Sequence, residues 1–223
     1  AAPNRAAERL CYGQSGLLTA CGGLSRHPNS RRSMIKPWKI LSSRKTFKDP
    51  FLSVRTDRCQ RHDGHIVPNY HVLEFTDWAT IVPVTDEGNI VLIREYRHAG
   101  QVVLLGVPGG VLDPGETDPE TAARRELREE TGYTAREMIP VGSCFPNPAI
   151  QDNHLHYFLA TGCRKTDVQA LDPNEEIEVL EMPYTEFLDY GSLEVQHALH
   201  AAALFYAERF LMHHPELRPP EEI

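Results

Sequence analysis

The sequence predicts a mixed α and β domain in which strands surround one central helix. Three observations carry this. One stretch, Pro119 to Thr131, has helix-forming composition with a start signal and a stop signal at its ends. Short apolar or alternating runs flank it on both sides, as strands do. A second helical pattern closes the chain, reaching His213.

The central helix is the clearest element. Asp118 is a good N-cap and Pro119 suits the first helical position. Gly132 is a good stop, and Ala, Arg, Leu and Glu dominate between them. A glycine-rich loop, Gly109 to Glu116, leads into it. Glu126, Glu129 and Glu130 fall at i, i+3 and i+4 and share one face. Arg124, Arg125 and Arg128 are expected to point away from that face. Uncompensated like charges at this spacing repel by ~0.2–0.5 kcal/mol per pair. The stripe is therefore either a charged surface face or a set of hard oxygen donors of the kind Mg²⁺ or Mn²⁺ prefers.

In chain order, residues 1–33 carry five arginines against one acid and no hydrophobic periodicity. A disordered leader is expected up to residue 36, dispensable or, on its composition, a transit peptide. Strand signals begin at Trp38–Leu41, continue at Phe51–Arg55, turn at Asp63-Gly64 and resume at Tyr70–Phe75. Residues 37–76 thus predict a small antiparallel unit, too small to hold a core alone. Trp78–Thr85 and Asn89–Tyr96 predict strands joined as a hairpin around Gly88. Val102–Val107 is an apolar run into the glycine loop. Beyond the central helix, Met138–Phe145, His154–Thr161 and Glu176–Leu180 predict strands. Pro183–Leu188 predicts a short helix. Ser192 is expected to cap a longer helix with apolar residues at Leu193, Ala198, Ala201, Ala202, Phe205 and Phe210. The tail 215–223 is expected to fray.

Composition narrows the function. The 223 residues are 41% hydrophobic and 24% charged, ordinary for a globular protein. The net charge of −8 argues against a general nucleic-acid binder. No apolar run is long enough to span a bilayer as a helix, so no membrane partner is expected. Five widely spaced cysteines form no CxxC pair. They predict a reducing compartment, taken as the cytoplasm, with neither disulfide framework nor zinc site.

Gly110, Glu116 and the run Arg125-Glu126-Leu127-Arg128-Glu129-Glu130-Thr131-Gly132-Tyr133 resemble the Nudix box. That motif reads Gly, five residues, Glu, seven residues, Arg-Glu-aliphatic-any-Glu-Glu-any-Gly-aliphatic. Here eight residues separate Glu116 from Arg125, and Tyr133 replaces the last aliphatic residue. The extra residue is expected at Thr117-Asp118, before the helix, so that the glutamate face survives. The resemblance implies an α/β/α sandwich with the box as loop–helix–loop. It implies one to three Mg²⁺ or Mn²⁺ ions on Glu126, Glu129 and Glu130, with Glu116 and the Gly110 carbonyl as further ligands. It also implies hydrolysis of a diphosphate that joins a nucleoside to a second moiety.

Beyond the box, Trp38 with its strand, then Trp78, then Arg94-Glu95-Tyr96-Arg97-His98 is similar to the ADP-ribose pyrophosphatase branch. In that branch a small N-terminal β unit (here 37–76) precedes the Nudix domain (here 77–214). It often helps to form a homodimer and contributes to the neighbour's pocket. A nucleotide-sugar substrate and a homodimer are the expectations. Arg97 is either a phosphate contact or a sheet-edge arginine. Trp78 and Tyr96 either stack on a base or belong to the core. The branch often carries a catalytic Glu in the loop corresponding to residues 146–154. No Glu occurs there, which leaves Glu129, Asp152 or His154 as the base. A different nucleotide substrate, or a non-catalytic nucleotide-binding module, remains open at this point.

Overall fold

A computed structural model of the chain describes Cys11–Tyr12, Leu18–Thr19 and residues 35–219. Most of the leader expected at residues 1–36 lies outside the described residues. Its two short strands, β1 (Cys11–Tyr12) and β2 (Leu18–Thr19), pair antiparallel. The chain divides into two compact units, residues 1–75 with 149–152, and residues 76–148 with 153–223.

In the first unit, β3 (Lys39–Lys48), β4 (Ser53–Gln60) and β5 (Ile66–Glu74) form an antiparallel sheet in that order. The strands run further than the sequence patterns predict. Ser42 to Lys45 carry no apolar alternation, yet backbone pairing with β4 keeps them extended. The expected turn at Asp63-Gly64 is present, with the Gly64 N–H donating to the Arg61 carbonyl. This unit is held more by polar groups than by an apolar core. Asp57 is buried and accepts from the Ser43 hydroxyl and from Arg55 Nε. Arg55 also reaches Glu74 at 2.7 Å. A buried carboxylate needs such partners, because leaving it unpaired costs several kcal/mol.

The second unit is built on β6 (Trp78–Thr85), β7 (Asn89–Arg97), β8 (Val102–Gly106), β9 (Gly109–Val111), β10 (Tyr133–Thr134), β11 (Glu137–Cys144), β12 (Leu155–Lys165) and β13 (Ile177–Pro183). The path through its sheet runs β10-β12-β6-β7-β13, with β11 on β12, β8 on β7 and β9 on β6. The hairpin expected between β6 and β7 closes at Gly88 but holds register only at Val84 and Ile90. The strands then part. β6 continues parallel to β12 and antiparallel to β9, while β7 is flanked by β8 and β13.

Strands β6, β7 and β12 read as nearly continuous apolar runs because both faces are covered. Alternate residues go to opposite sides. Val82, Val84, Ile90, Leu92, Leu155, Tyr157 and Leu159 face one core, and Ala79, Ile81, Val91, Phe158 and Ala160 face the other. Helix α1 (Pro119–Thr131) covers the second core with Ala122, Ala123 and Leu127. Helix α3 (Ala198–His213), preceded by the short α2 (Tyr184–Asp189), covers the first. This is the α/β/α layering. Leu127→Ala, at a fully buried position, is expected to cost ~2–5 kcal/mol, read as a lowered denaturant midpoint.

Two expectations near the C-terminus are corrected. Ser192 does not cap the long helix. Its hydroxyl donates to the Leu188 carbonyl, residues 191–194 form a 3₁₀ turn, and α3 starts after His197. The extended Val195 breaks the helical path between them. The stripe that α3 buries is His200, Ala203, Leu204, Ala207 and Leu211, while Leu193 and Phe205 are exposed. In the tail, residues 215–217 form a 3₁₀ turn, and Arg218 pairs with Glu208 on α3.

Candidate active site

The site grows from the two ends of the glycine loop. β9 pairs with β6, so Gly109 and Gly110 lie opposite Thr80 and Ala79. Asp118 then caps α1, accepting from the backbone N–H groups of Glu120 and Thr121, and Gly132 ends the helix in the left-handed conformation. Both caps are the ones the sequence predicts. The helix is thereby aimed so that Glu126 and Glu130 lie against the loop backbone.

Glu130 Oε2 accepts from the Gly109 N–H at 2.8 Å. A side chain at position 110 would put its Cβ 2.5 Å from Glu126 Oε1. Any other residue there would push the Glu126 carboxylate aside. Burial pushes the Glu126 carboxyl up to about 7, against the pull of Arg125 and with the charges of Glu129 and Glu175 adding. Glu130 is raised well above the ordinary carboxylate range, again by burial first, then by Glu126, Glu95 and Glu175.

The expectation that Arg125 points away from the glutamates is wrong. Its guanidinium donates to Glu126 Oε1 at 2.8 Å, to Glu129 Oε2 at 3.0 Å, to both oxygens of Glu116 and to the Val111 carbonyl. The side chain is long enough to fold back over its own helix, and three carboxylates within reach outweigh its desolvation. Its charge is accordingly held more firmly than usual.

Glu116 is therefore locked as a clamp on the loop. It binds Arg125 and accepts from the Asp113 N–H, which lowers its pKa. The longer spacing between Glu116 and Arg125 does not separate them. Glu129 is half exposed and held by Arg125. Among the described residues no three His, Cys, Asp or Glu side chains form a ready-made metal cage.

Beside the loop lies a cavity of about 260 Å³, lined among others by Trp78, Arg97, Gly109, Gly110, His197 and His200. Two sequence candidates, Trp78 and Arg97, thus meet the Gly110 loop. Tyr96 does not. It sits on the other face of β7, half exposed, edge-on to His98. Arg97 is steadied by Glu95 at 2.7 Å.

The two alternative bases have other neighbours within their own units. Asp152 belongs to the first unit, 3.7 Å from Arg55. The His154 ring packs on Phe145, with centroids 4.1 Å apart.

Four residues went unnoticed in the sequence. Glu95 and Glu175 put negative charge onto Glu130 from β7 and from the loop before β13. His197 and His200 enter the cavity from α3. Glu95 is signalled by an acid at the end of an otherwise apolar strand, whereas Glu175 lies in the polar run 172–176 and carries no such signal. The histidines were hidden by the misplaced helix start.

The chain is similar to proteins of known families. A model of the NUDIX domain matches residues 76–203. A model of the nucleoside diphosphate sugar hydrolase N-terminal domain matches residues 38–73. An ADP-ribose pyrophosphatase of Bacillus subtilis (strain 168) is 35% identical over 130 residues, which are 57% of this chain and 70% of that protein. A GDP-mannose pyrophosphatase of Cronobacter sakazakii is 32% identical over 142 residues, 58% of this chain and 72% of that protein. A crystal structure of an ADP compounds hydrolase has the same fold, with a TM-score of 0.71, 22% identity, and coverage of 82% of this chain and 98% of that one. The capped box helix, its glycine loop and the matched domains together establish that the chain belongs to the Nudix family and is a Nudix hydrolase related to the ADP-ribose and GDP-mannose pyrophosphatases.

Proposed function

We propose that the protein hydrolyses the diphosphate of ADP-ribose or a related nucleotide sugar, releasing a nucleoside monophosphate and a sugar phosphate. The carrying observation is the buried Glu126–Glu130 pair against Gly109-Gly110, a loop that also lines the cavity holding Arg97. The N-terminal match to nucleoside diphosphate sugar hydrolases and the substrates named for the relatives support the same substrate class.

The donor set fits a hard divalent cation. Burial pushes both carboxyls up, and Arg125 reaches Glu126 but not Glu130. Their oxygens, with the Gly110 carbonyl, suit Mg²⁺ or Mn²⁺, whose remaining positions substrate phosphates commonly fill. When bound, such an ion would supply positive charge to the diphosphate oxygens.

The protein's own groups do the rest. Arg97, steadied by Glu95, meets a phosphate oxygen. Arg125 holds Glu116, Glu126 and Glu129 in one frame. Glu129, half exposed and at the edge of that frame, and Glu175, whose charge reaches both Glu126 and Glu130, are the acids placed to take a proton from the attacking water.

We also propose a homodimer formed through the first unit. β3 is exposed along all ten of its residues and presents Ile40, Leu41 and Phe47 next to Trp38. An open apolar edge strand of this kind is normally paired or covered.

Product analysis tests the reaction. ADP-ribose with Mg²⁺ should yield AMP and ribose 5-phosphate, and excess chelator should abolish turnover. Release of pyrophosphate from a nucleoside triphosphate, with nucleotide sugars left intact, would overturn the proposal.

A further inference from the structure

The cavity contains two histidines that nothing else in the fold explains. His197 is the residue before α3, and His200 lies in its first turn. Their rings meet edge to face with centroids 4.4 Å apart. Both Nδ1 atoms are buried without a hydrogen-bond partner among the described residues. His200 is almost wholly buried, at 6% exposure. A buried imidazole with no partner is costly, by about 1–3 kcal/mol for the unmet group. A structural histidine would normally have found one.

The position of His200 is enforced by β8. A Cβ on Gly106 would stand 1.8 Å from His200 Nδ1. The glycine leaves room for the ring, which lines the cavity. Burial first, then His197 and Arg97, push the His200 pKa down to about 3. His197 is lowered for the same reasons, burial and Arg97. Both rings are therefore neutral at pH 7, and they add hydrogen-bonding atoms without adding charge.

This divides the cavity into two parts. Arg97 is the charged group, suited to a phosphate. The histidines offer polar but uncharged atoms to the same cavity. With a volume of about 260 Å³, the cavity holds one ring of a ligand rather than a whole nucleotide sugar. A sugar ring attached to a phosphate has this make-up, with charge at one end and hydroxyls that both donate and accept.

We propose that His197 and His200 form a hydroxyl-binding subsite that holds a sugar ring next to the phosphate bound by Arg97. The inference rests on the nucleotide-sugar reading. It adds the residues that tell a sugar from an unsubstituted phosphate chain.

The test uses the full chain, with His200→Ala, His200→Gln and Gly106→Ala, each checked for folding by its thermal melt. With ADP-ribose as substrate, His200→Ala should raise KM about tenfold with a smaller effect on kcat, the loss of about one hydrogen bond. His200→Gln, which keeps a donor, should recover part of that loss. Gly106→Ala, which displaces the ring while keeping both histidine side chains, should reproduce it.

Product inhibition identifies the sugar. The inhibition constant should rise for AMP alone if the ring is the nucleoside's ribose, and for ribose 5-phosphate alone if it is the second sugar. Unchanged KM in both His200→Ala and Gly106→Ala, or equal weakening of both products and of inorganic phosphate, would overturn the subsite. If wild-type protein cleaves no nucleotide sugar, the proposed function fails instead, and that outcome is read before any variant is made.

Discussion

Glu130→Gln should lower turnover by ~10²–10³-fold while the protein remains folded. Glu130 is buried against the Gly109 N–H. An amide keeps the shape and can still accept that bond through its oxygen, but it brings no charge to a cation. Stability separates this from misfolding. Both buried glutamates have raised pKa values in the folded protein. The folded state therefore holds their protons more tightly than the unfolded chain. The contribution of these two carboxyls to metal-free stability should be greatest at low pH and fall as pH rises from the ordinary 4.5 upward, for Glu126 through about 7. Removing one of the two carboxylates relieves this penalty. In excess chelator at pH 8 the variant should melt no lower than wild type. Turnover near the wild-type rate in Glu130→Gln would exclude the carboxylate pair as the metal site.

Arg125→Ala should be nearly as damaging, for a different reason. One guanidinium ties Glu116 and the Val111 carbonyl of the loop to Glu126 and Glu129 of α1. Its loss frees the loop and leaves two acids of the helix without their cation. We expect ~10–100-fold lower kcat/KM, the usual scale for a group that orients metal ligands, and a lower melting temperature. Arg125→Lys should rescue little, because a point charge cannot bridge partners on several sides as the fork does. The pH profile gives a second readout. Arg125 pulls the Glu126 pKa down, so its removal should move the acid limb of the activity profile to higher pH. An unshifted acid limb with normal melting would show that Arg125 serves the surface only.

The sequence by itself determined the box helix, down to its caps, because capping is local chemistry. Asp118, Pro119 and Gly132 act on their nearest backbone neighbours, and no distant contact can reassign them. It also determined the two-sided burial of β6, β7 and β12, since long apolar runs have few other uses in a chain of this composition. Spacing alone placed Glu126 and Glu130 on one face, because a helix has a single period.

Tertiary structure decided what depends on the reach of side chains and on partners far along the chain. Arg125 was assigned to the wrong side because helical angle describes the Cβ, whereas a guanidinium lies several bonds further out and follows the nearest carboxylates. β6 and β7 look like an ordinary hairpin, yet they separate after one bridge because β12, 70 residues and more downstream, competes for β6 and wins along its length. Only that separation seats β9 on β6 and sets Gly110 opposite Ala79. The start of α3 could not be read because Ser192 satisfies the end of the preceding helix instead of opening the next. With the start misplaced, His197 and His200 were read as part of an ordinary apolar helix. The cavity that gives them a role is assembled from β6, β7, β9 and α3, and no single stretch of the chain records it.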